Sequence, residues 1–461
     1  MNHRGRLLEV LKRAETGPMI DEKDFERKLV AQTAKRLVKD YGIQFDGQTI
    51  IHADDDLADR LFQAGMDFAI EVGMYCQDTA RRITWTRTEY EDSLRHCPSE
   101  VVMGMGRDAV TVRARVPEDS IRPAASGGPV GVVFPEEMFV PVMAAYAREP
   151  VIDLLEPAII ETAHGWEIKA ASPWEVVGSW REAELCMEVL HQVGRQGMCL
   201  ACVTLSSTST GHISAASYGG FRPSDWHHCS VLSELKTNYS LLSKVAHAAF
   251  IGGNIESYLN PIFGGYFGGP EGVAIGLTAG MILLQQNYMG TTMSVSTAHP
   301  TMHCGSTSAL LWAQSLAFQA VSRNTNMIIA SMNKPAGGPG NYSVLYENAA
   351  MALTNSVSGL SVVESSMSAS GINYKHASPL ESKLSAEVAK AAAGMSRGKA
   401  DEIVRRLLAH YEPGLQAGPI GQPFDEVYNI STLQPTSEWL GMYEEVKEEL
   451  VGMGLPLDRL R

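Results

Sequence analysis

Apolar positions follow two rhythms along this chain. In the first hundred residues they recur at helical spacing. The stretches "DFERKLVAQTAKRLVKDYG" (24–42) and "DLADRLFQAGMDFAIEVGMYC" (56–76) each carry an apolar stripe and are ended or interrupted by a glycine. That pattern predicts amphipathic helices. The opening "MNHRGRLLEVLKRAETG" reads the same way, with charges inside its apolar stretch. From 101 the pattern changes to alternation with β-branched residues in "VVMGMGRDAVTVRARV", as in a strand or hairpin. A Pro/Gly-rich stretch, "RPAASGGPVGVVFPEE" (122–137), follows.

From about 150 short apolar runs alternate with helical segments. The runs are "VIDLLEPAII", "GMCLACVT", "DWHHCSV", "NIESYLNP", "GTTMSVSTAHP", "NMIIASMN" and "LSVVESSMSA". Repeated strand–helix alternation predicts a parallel α/β sheet. Without a dinucleotide fingerprint at the first turn, it favours a single closed (β/α)8 TIM barrel over an open sheet. The expected organisation is a mainly helical N-terminal extension over residues 1–120, then the barrel and C-terminal helices over residues 121–461. Seven strand–helix units are located this way, and the first or last strand is not.

Composition narrows the function. A chain of 461 residues with 45% hydrophobic and 20% charged residues is globular. The net charge of -14 argues against a nucleic-acid binder that neutralises phosphates. The longest apolar run, "GVAIGLTAGMILL" (272–284), is too short to span a bilayer and runs into Gln285, Gln286 and Asn287. It predicts a buried helix and no membrane association. No export signal is visible, so a cytoplasmic location with reduced thiols is expected. The seven cysteines then read as core residues, ligands or nucleophiles.

In a barrel, catalytic groups lie at the C-terminal ends of the strands. Reading those ends collects Cys199, Cys202, His227, His228, Cys229, Tyr258, His299, His303, Cys304 and Asn333. Any one of these is usually a packed cysteine or a satisfied histidine. Their clustering on different strands is what suggests a thiolate–imidazole site. Cys199 and Cys202 are three apart, so on a strand they face opposite sides. One is expected to face the site and the other to pack outward. A zinc knuckle would want this pair on a turn, and a redox pair would want it at a helix N-terminus. In "PIFGGYFGGPEG" (261–272), Gly264, Gly265, Gly268 and Gly269 would let the backbone approach a bulky flat group. An ordinary tight loop is the alternative.

Five segments together carry a resemblance: "GMYCQDT" (73–79), "GMGRDAV" (104–110), "GGP" (127–129), "PIFGGYFGG" (261–269) and "CGSTS" (304–308). The chain resembles the monomethylamine:corrinoid-protein methyltransferases from about residue 35 to its C-terminus. The resemblance implies a (β/α)8 barrel that passes a methyl group to the Co(I) corrinoid of a partner protein, and a homo-oligomer is expected. The corrinoid-carrier motif Asp-x-His-x-x-Gly is absent, so a separate cognate corrinoid protein is implied. The family's site departs here. Its pyrrolysine follows a G-R-P-G-M segment, and the matching "GRQGMCLA" places Ala201 at that position. The two family glutamates align with His228 and Tyr258, and a family glutamine aligns near Met332 or Asn333.

Losing pyrrolysine leaves three ways to improve the leaving group. A quaternary ammonium needs no help, a proton donor could activate an ether or amine, and zinc could stabilise a thiolate or alkoxide. Sulfur and imidazole donors suit zinc. The first expectation is therefore a zinc-assisted methyltransferase acting on a methyl thioether, methylated thiol or methoxy compound. His228, Cys229, His303 and Cys304 are its candidate ligands. Cys199, Cys202, His228 and Tyr258 are its candidate catalytic residues. The alternatives are a metal-free demethylase of a quaternary or other methylated amine, with Trp226, Tyr258 and Trp312 as a cation cage, and a non-catalytic relative that only docks a corrinoid protein.

Overall fold

The structure, a computed structural model, describes residues 3–201 and 208–457. Eight parallel strands run in chain order: β1 (Ala124–Gly127), β2 (Leu154–Leu155), β3 (Cys199–Leu200), β4 (Trp226–Ser230), β5 (Asn254–Leu259), β6 (Thr292–Val295), β7 (Ile329–Asn333) and β8 (Val362–Ser366). They form one sheet in the order β4-β5-β6-β7-β8-β1-β2-β3. A helix follows each strand: α1 (Glu136–Ala147), α2 (Pro173–Gln192), α3 (Ser209–Ala215), α4 (Tyr239–Ile251), α5 (Pro270–Asn287), α6 (Ser308–Asn324), α7 (Tyr342–Val357) and α8 (Pro379–Ala391). This is the (β/α)8 arrangement, with the sheet wound so that β3 and β4 come to the seam. The unit missing from the sequence pattern is the first. β1 is "AASG", all small residues, and it carries no apolar period to detect.

The seam is held by side chains and a hairpin. The Leu200 N–H donates to the buried Asp225 carboxylate at 3.0 Å. Arg222 grips the same carboxylate and donates to the carbonyls of Gln196 and Met198. The hairpin Glu100–Met103/Val110–Arg113 lies across the N-terminal end of the barrel. Its turn joins the two edges, with Gly104 N–H donating to the Ser224 carbonyl and Met105 N–H to Gly197. The "GMGRDA" glycines therefore serve a hairpin turn, with φ of 76° at Gly104 and 57° at Gly106.

Helix α5 is buried at every residue from Gly272 to Asn287. The helix Asp55–Val72 covers it from outside and also packs on α6. Gly65 permits the contact: an added Cβ would lie 2.5 Å from Thr278 Cγ2. That double burial explains why α5 is apolar all round. Among the described residues no helix is long and apolar enough to cross a membrane.

Candidate active site

Period-two alternation sorts the strand residues into two sets. Leu154, Cys199, Ala201, Trp226, Ile328, Ala330 and Val362 share an apolar cluster inside the barrel with Met103 and Val112 of the hairpin. Leu155, Leu200, Cys229, Ile255, Met293, Val295 and Val363 belong to the core between strands and helices. Stepping two residues toward the C-terminal rim from Ala124, Leu154, Trp226, Ala330 and Val362 gives Ser126, Glu156, His228, Met332 and Glu364. Register sets Glu256 beside His228, and Ser294 joins them through its hydrogen bond to Glu364. The interior thus changes from an apolar floor to a polar layer.

Three glutamates dominate that layer, and all are fully buried. Ser126 donates to Glu156 Oε1, which also accepts from Ser365 N–H at 3.2 Å. Ser294 Oγ donates to Glu364 Oε1 at 2.5 Å. Glu156 Oε2, Glu364 Oε2 and both oxygens of Glu256 have no hydrogen-bond partner. Burial pushes the Glu156 carboxyl up to about 7, with Glu256 adding repulsion. Burial, then the charges of Glu256 and Glu156, hold the Glu364 carboxyl well above its usual range.

Above the carboxyl layer lies a polar network. His228 and Glu256 are direct register partners on β4 and β5, and their side chains meet at 3.2 Å. The Tyr258 ring tilts over His228 at 5.4 Å between centroids. Tyr258 and Ser296 share a hydroxyl–hydroxyl hydrogen bond of 2.7 Å. Lys334 Nζ donates to the Tyr258 hydroxyl at 2.9 Å. The Asn260 side-chain carbonyl accepts from Lys334 Nζ at 3.1 Å, and its amide donates to the Ser296 carbonyl.

Several sequence expectations are corrected here. His228 faces the interior, but Cys229 points to the helix layer, as alternation requires. Cys304 is buried in that same outer core, and His303 is exposed on the rim loop. The four expected zinc ligands do not converge. Among the described residues no three His, Cys, Asp or Glu side chains are grouped so as to hold a metal ion, so these residues do not fit zinc. Cys199 does face inward, but in the apolar floor, and burial holds its thiol well above the usual range. Cys202 lies outside the described residues. His227 faces outward beside His212, at 5.5 Å between rings. Asn333 also faces outward and donates to Ser385 on α8 at 3.1 Å.

The aromatic cage is not assembled either. Trp226 lies in the floor, Tyr258 in the upper network, and Trp312 on α6 packs outside the barrel against Phe45. The glycine-rich loop stands at the rim after β5, where Gly264 N–H donates to the Gly268 carbonyl at 2.8 Å. Both have φ of 74°, and an added Cβ on either would meet nothing within 4 Å. They present bare backbone to open space. Gly265 is tighter, with an added Cβ 3.0 Å from the Ile262 carbonyl, and Gly269 would meet Glu271 at 3.1 Å.

The sequence reading missed Glu156, Glu256, Glu364 and Lys334. A signal existed: "DLLEP", "NIESY" and "SVVESS" each embed one glutamate in an apolar strand, where a buried charge is costly and calls for a reason.

Comparison with known proteins agrees with the fold. The sequence model of the family described as Monomethylamine methyltransferase MtmB matches residues 6–455. Monomethylamine methyltransferase MtmB2 of Methanosarcina acetivorans is 31% identical over 449 residues, covering 96% of each chain. Monomethylamine methyltransferase MtmB of Methanosarcina mazei has the same identity and coverage. The crystal structure of the Methanosarcina barkeri enzyme superposes with a TM-score of 0.94 at 30% identity, covering 97% of this chain and 98% of that one.

Proposed function

This chain belongs to the monomethylamine methyltransferase family, and from that premise we propose that it moves a methyl group from a small methylated ammonium ion to the reduced corrinoid of a separate partner protein. One observation carries the choice of donor: four buried carboxylate oxygens, on Glu156, Glu256 and Glu364, are without a hydrogen-bond partner. Buried carboxyl oxygens without partners are costly, and an organic cation held among them supplies the partner that their ionised form lacks. Zinc-assisted transfer from a thioether, methylated thiol or methoxy compound needs a Cys/His ligand set whose members here face different ways.

We read Ala201 as standing at the family's pyrrolysine position, so on this reading no residue there captures the amine covalently. A quaternary ammonium suits such a site best. Its C–N bond breaks heterolytically, the electron pair stays on nitrogen, and a neutral tertiary amine leaves without needing a proton. The reduced corrinoid, a second substrate, supplies the electron pair that takes the methyl group. The glutamates hold the cation, and the floor of Trp226, Leu154 and Val362 keeps water out from below. Gly264 and Gly268 give the rim a bare backbone face for a flat acceptor.

The test is methyl transfer to free reduced cobalamin, followed by its absorbance, with tetramethylammonium, trimethylammonium and methylammonium set against dimethyl sulfide and methoxybenzene. The proposal expects transfer from the ammonium set, with tetramethylammonium fastest. Transfer from the sulfide or ether alone would overturn it.

A further inference from the structure

One cation stands over the acidic layer. Lys334 follows β7, on the inward parity of Ala330 and Met332. It is half-buried, and its Nζ donates only to neutral oxygens, those of Tyr258 and Asn260. Among the described residues no carboxylate pairs with it. A lysine placed merely to neutralise the glutamates would sit against one of them. Instead Glu364 Oε2 stays unpartnered although the charge of Lys334 reaches that carboxyl.

The interior therefore holds two unmet demands of opposite sign, stacked along the barrel axis. Met332 is the register partner of Glu364, and Lys334 lies two residues further. Its backbone stands about 6–7 Å beyond the glutamate layer along the strand. The Tyr258 ring stands beside both layers, with its centroid 5.7 Å from Lys334 Nζ and 5.4 Å from the His228 ring. An aromatic face beside carboxylates suits N-methyl groups.

The geometry points to Lys334 as the anchor for a carboxylate on the methyl donor, so that the preferred donor is a zwitterion: a quaternary methylammonium joined through a short spacer to a carboxylate. This rests on the methylammonium reading above and adds the second charge. The ammonium sits among Glu156, Glu256 and Glu364, while the carboxylate takes a charge-assisted hydrogen bond from Lys334 at the mouth. The reaction itself is unchanged. One C–N bond breaks, its pair leaves on nitrogen, and the corrinoid supplies the pair for the new bond to carbon.

The experiment measures binding by calorimetry, without acceptor, for trimethylglycine and tetramethylammonium on the full chain and on its Lys334→Met and Lys334→Arg variants. KM for transfer to reduced cobalamin is measured in parallel. The full chain should bind trimethylglycine about tenfold or more tighter than tetramethylammonium, as a charge-assisted hydrogen bond supports. Lys334→Met should bring that ratio to about one, and Lys334→Arg should restore part of it. Equal binding of both compounds by the full chain overturns the inference alone. So does a Lys334→Met variant that weakens both alike, which is what a merely structural lysine would do. Failure of both ammonium compounds to bind overturns the methylammonium reading itself.

Discussion

His228 Nδ1 lies 3.2 Å from Glu256 Oε1 on the neighbouring strand, yet neither atom has a partner in hydrogen-bond geometry. The pair is close and misaligned, with Glu256 fully buried. A carboxylate left this way is a poor device for stability and a good one for binding a cation. Glu256→Gln should therefore lower affinity for tetramethylammonium by about tenfold or more, roughly 1.4 kcal/mol. The melting temperature should hold or rise, because the Glu256 carboxyl makes no hydrogen bond that the substitution would remove. Calorimetric titration and a thermal melt check the two halves. A fall in melting temperature with affinity intact would mean that Glu256 is structural.

Donor binding should depend on pH through Glu156, whose carboxyl burial pushes up to about 7. Below that pH the group is neutral and attracts no cation. Above it the group is anionic. Affinity for a quaternary ammonium should thus rise between about pH 6 and pH 8, and binding should release protons. Titration in two buffers of different ionisation enthalpy reads the release. In the absence of donor the sign reverses for stability. The folded state keeps a proton on Glu156 that the unfolded chain loses near 4.5, so stability falls as pH rises from there through about 7. Glu156→Gln should flatten both profiles.

Cys229 and Cys304 should be inert. Burial raises their thiols to about 12 and about 11 respectively, and the thiolate is the reactive form. Iodoacetamide at pH 8 should modify neither in the folded protein and both after denaturation. Cys229→Ala and Cys304→Ala should keep methyl transfer. Loss of transfer in both variants, together with loss of bound zinc, would restore the metal-centred reading.

Asp225 should be a stability residue with a functional consequence. Its buried carboxylate holds Arg222 and caps the Leu200 N–H at the β3–β4 seam. Asp225→Ala leaves the Arg222 guanidinium without its counter-ion and the Leu200 N–H without its acceptor, at a cost of about 3–5 kcal/mol. Urea unfolding should show the loss as a lower midpoint. Because Ala201, the residue after β3, belongs to the apolar floor beneath the glutamates, methyl transfer should fall in the same variant even below its unfolding range.

Much of the architecture is written in local pattern. The helical stripe of residues 56–76 became the helix Asp55–Val72, and the alternation after 101 became the hairpin Glu100–Met103/Val110–Arg113. Seven apolar runs became strands β2 to β8. Burial of one face leaves a period in the sequence, and a period can be read without a fold. β1 escaped because "AASG" is a strand by virtue of its neighbours: Ala124 pairs with Val362 of β8, and Ser126 with Leu154 of β2.

The site depended on something the pattern does not hold. Alternation says that His228 and Cys229 face opposite ways, and that Cys199 and Ala201 face the same way. It does not say which parity is inside. Barrel closure and register decide that, and they turned His228, Glu256 and Glu364 inward while sending Cys229 and Cys304 to the helices. Position at the expected strand ends made cysteine and histidine conspicuous as chemistry. Tertiary structure made three scattered glutamates and one lysine into a charged interior, because side chains from strands over two hundred residues apart share an enclosed space only once the sheet has wound round.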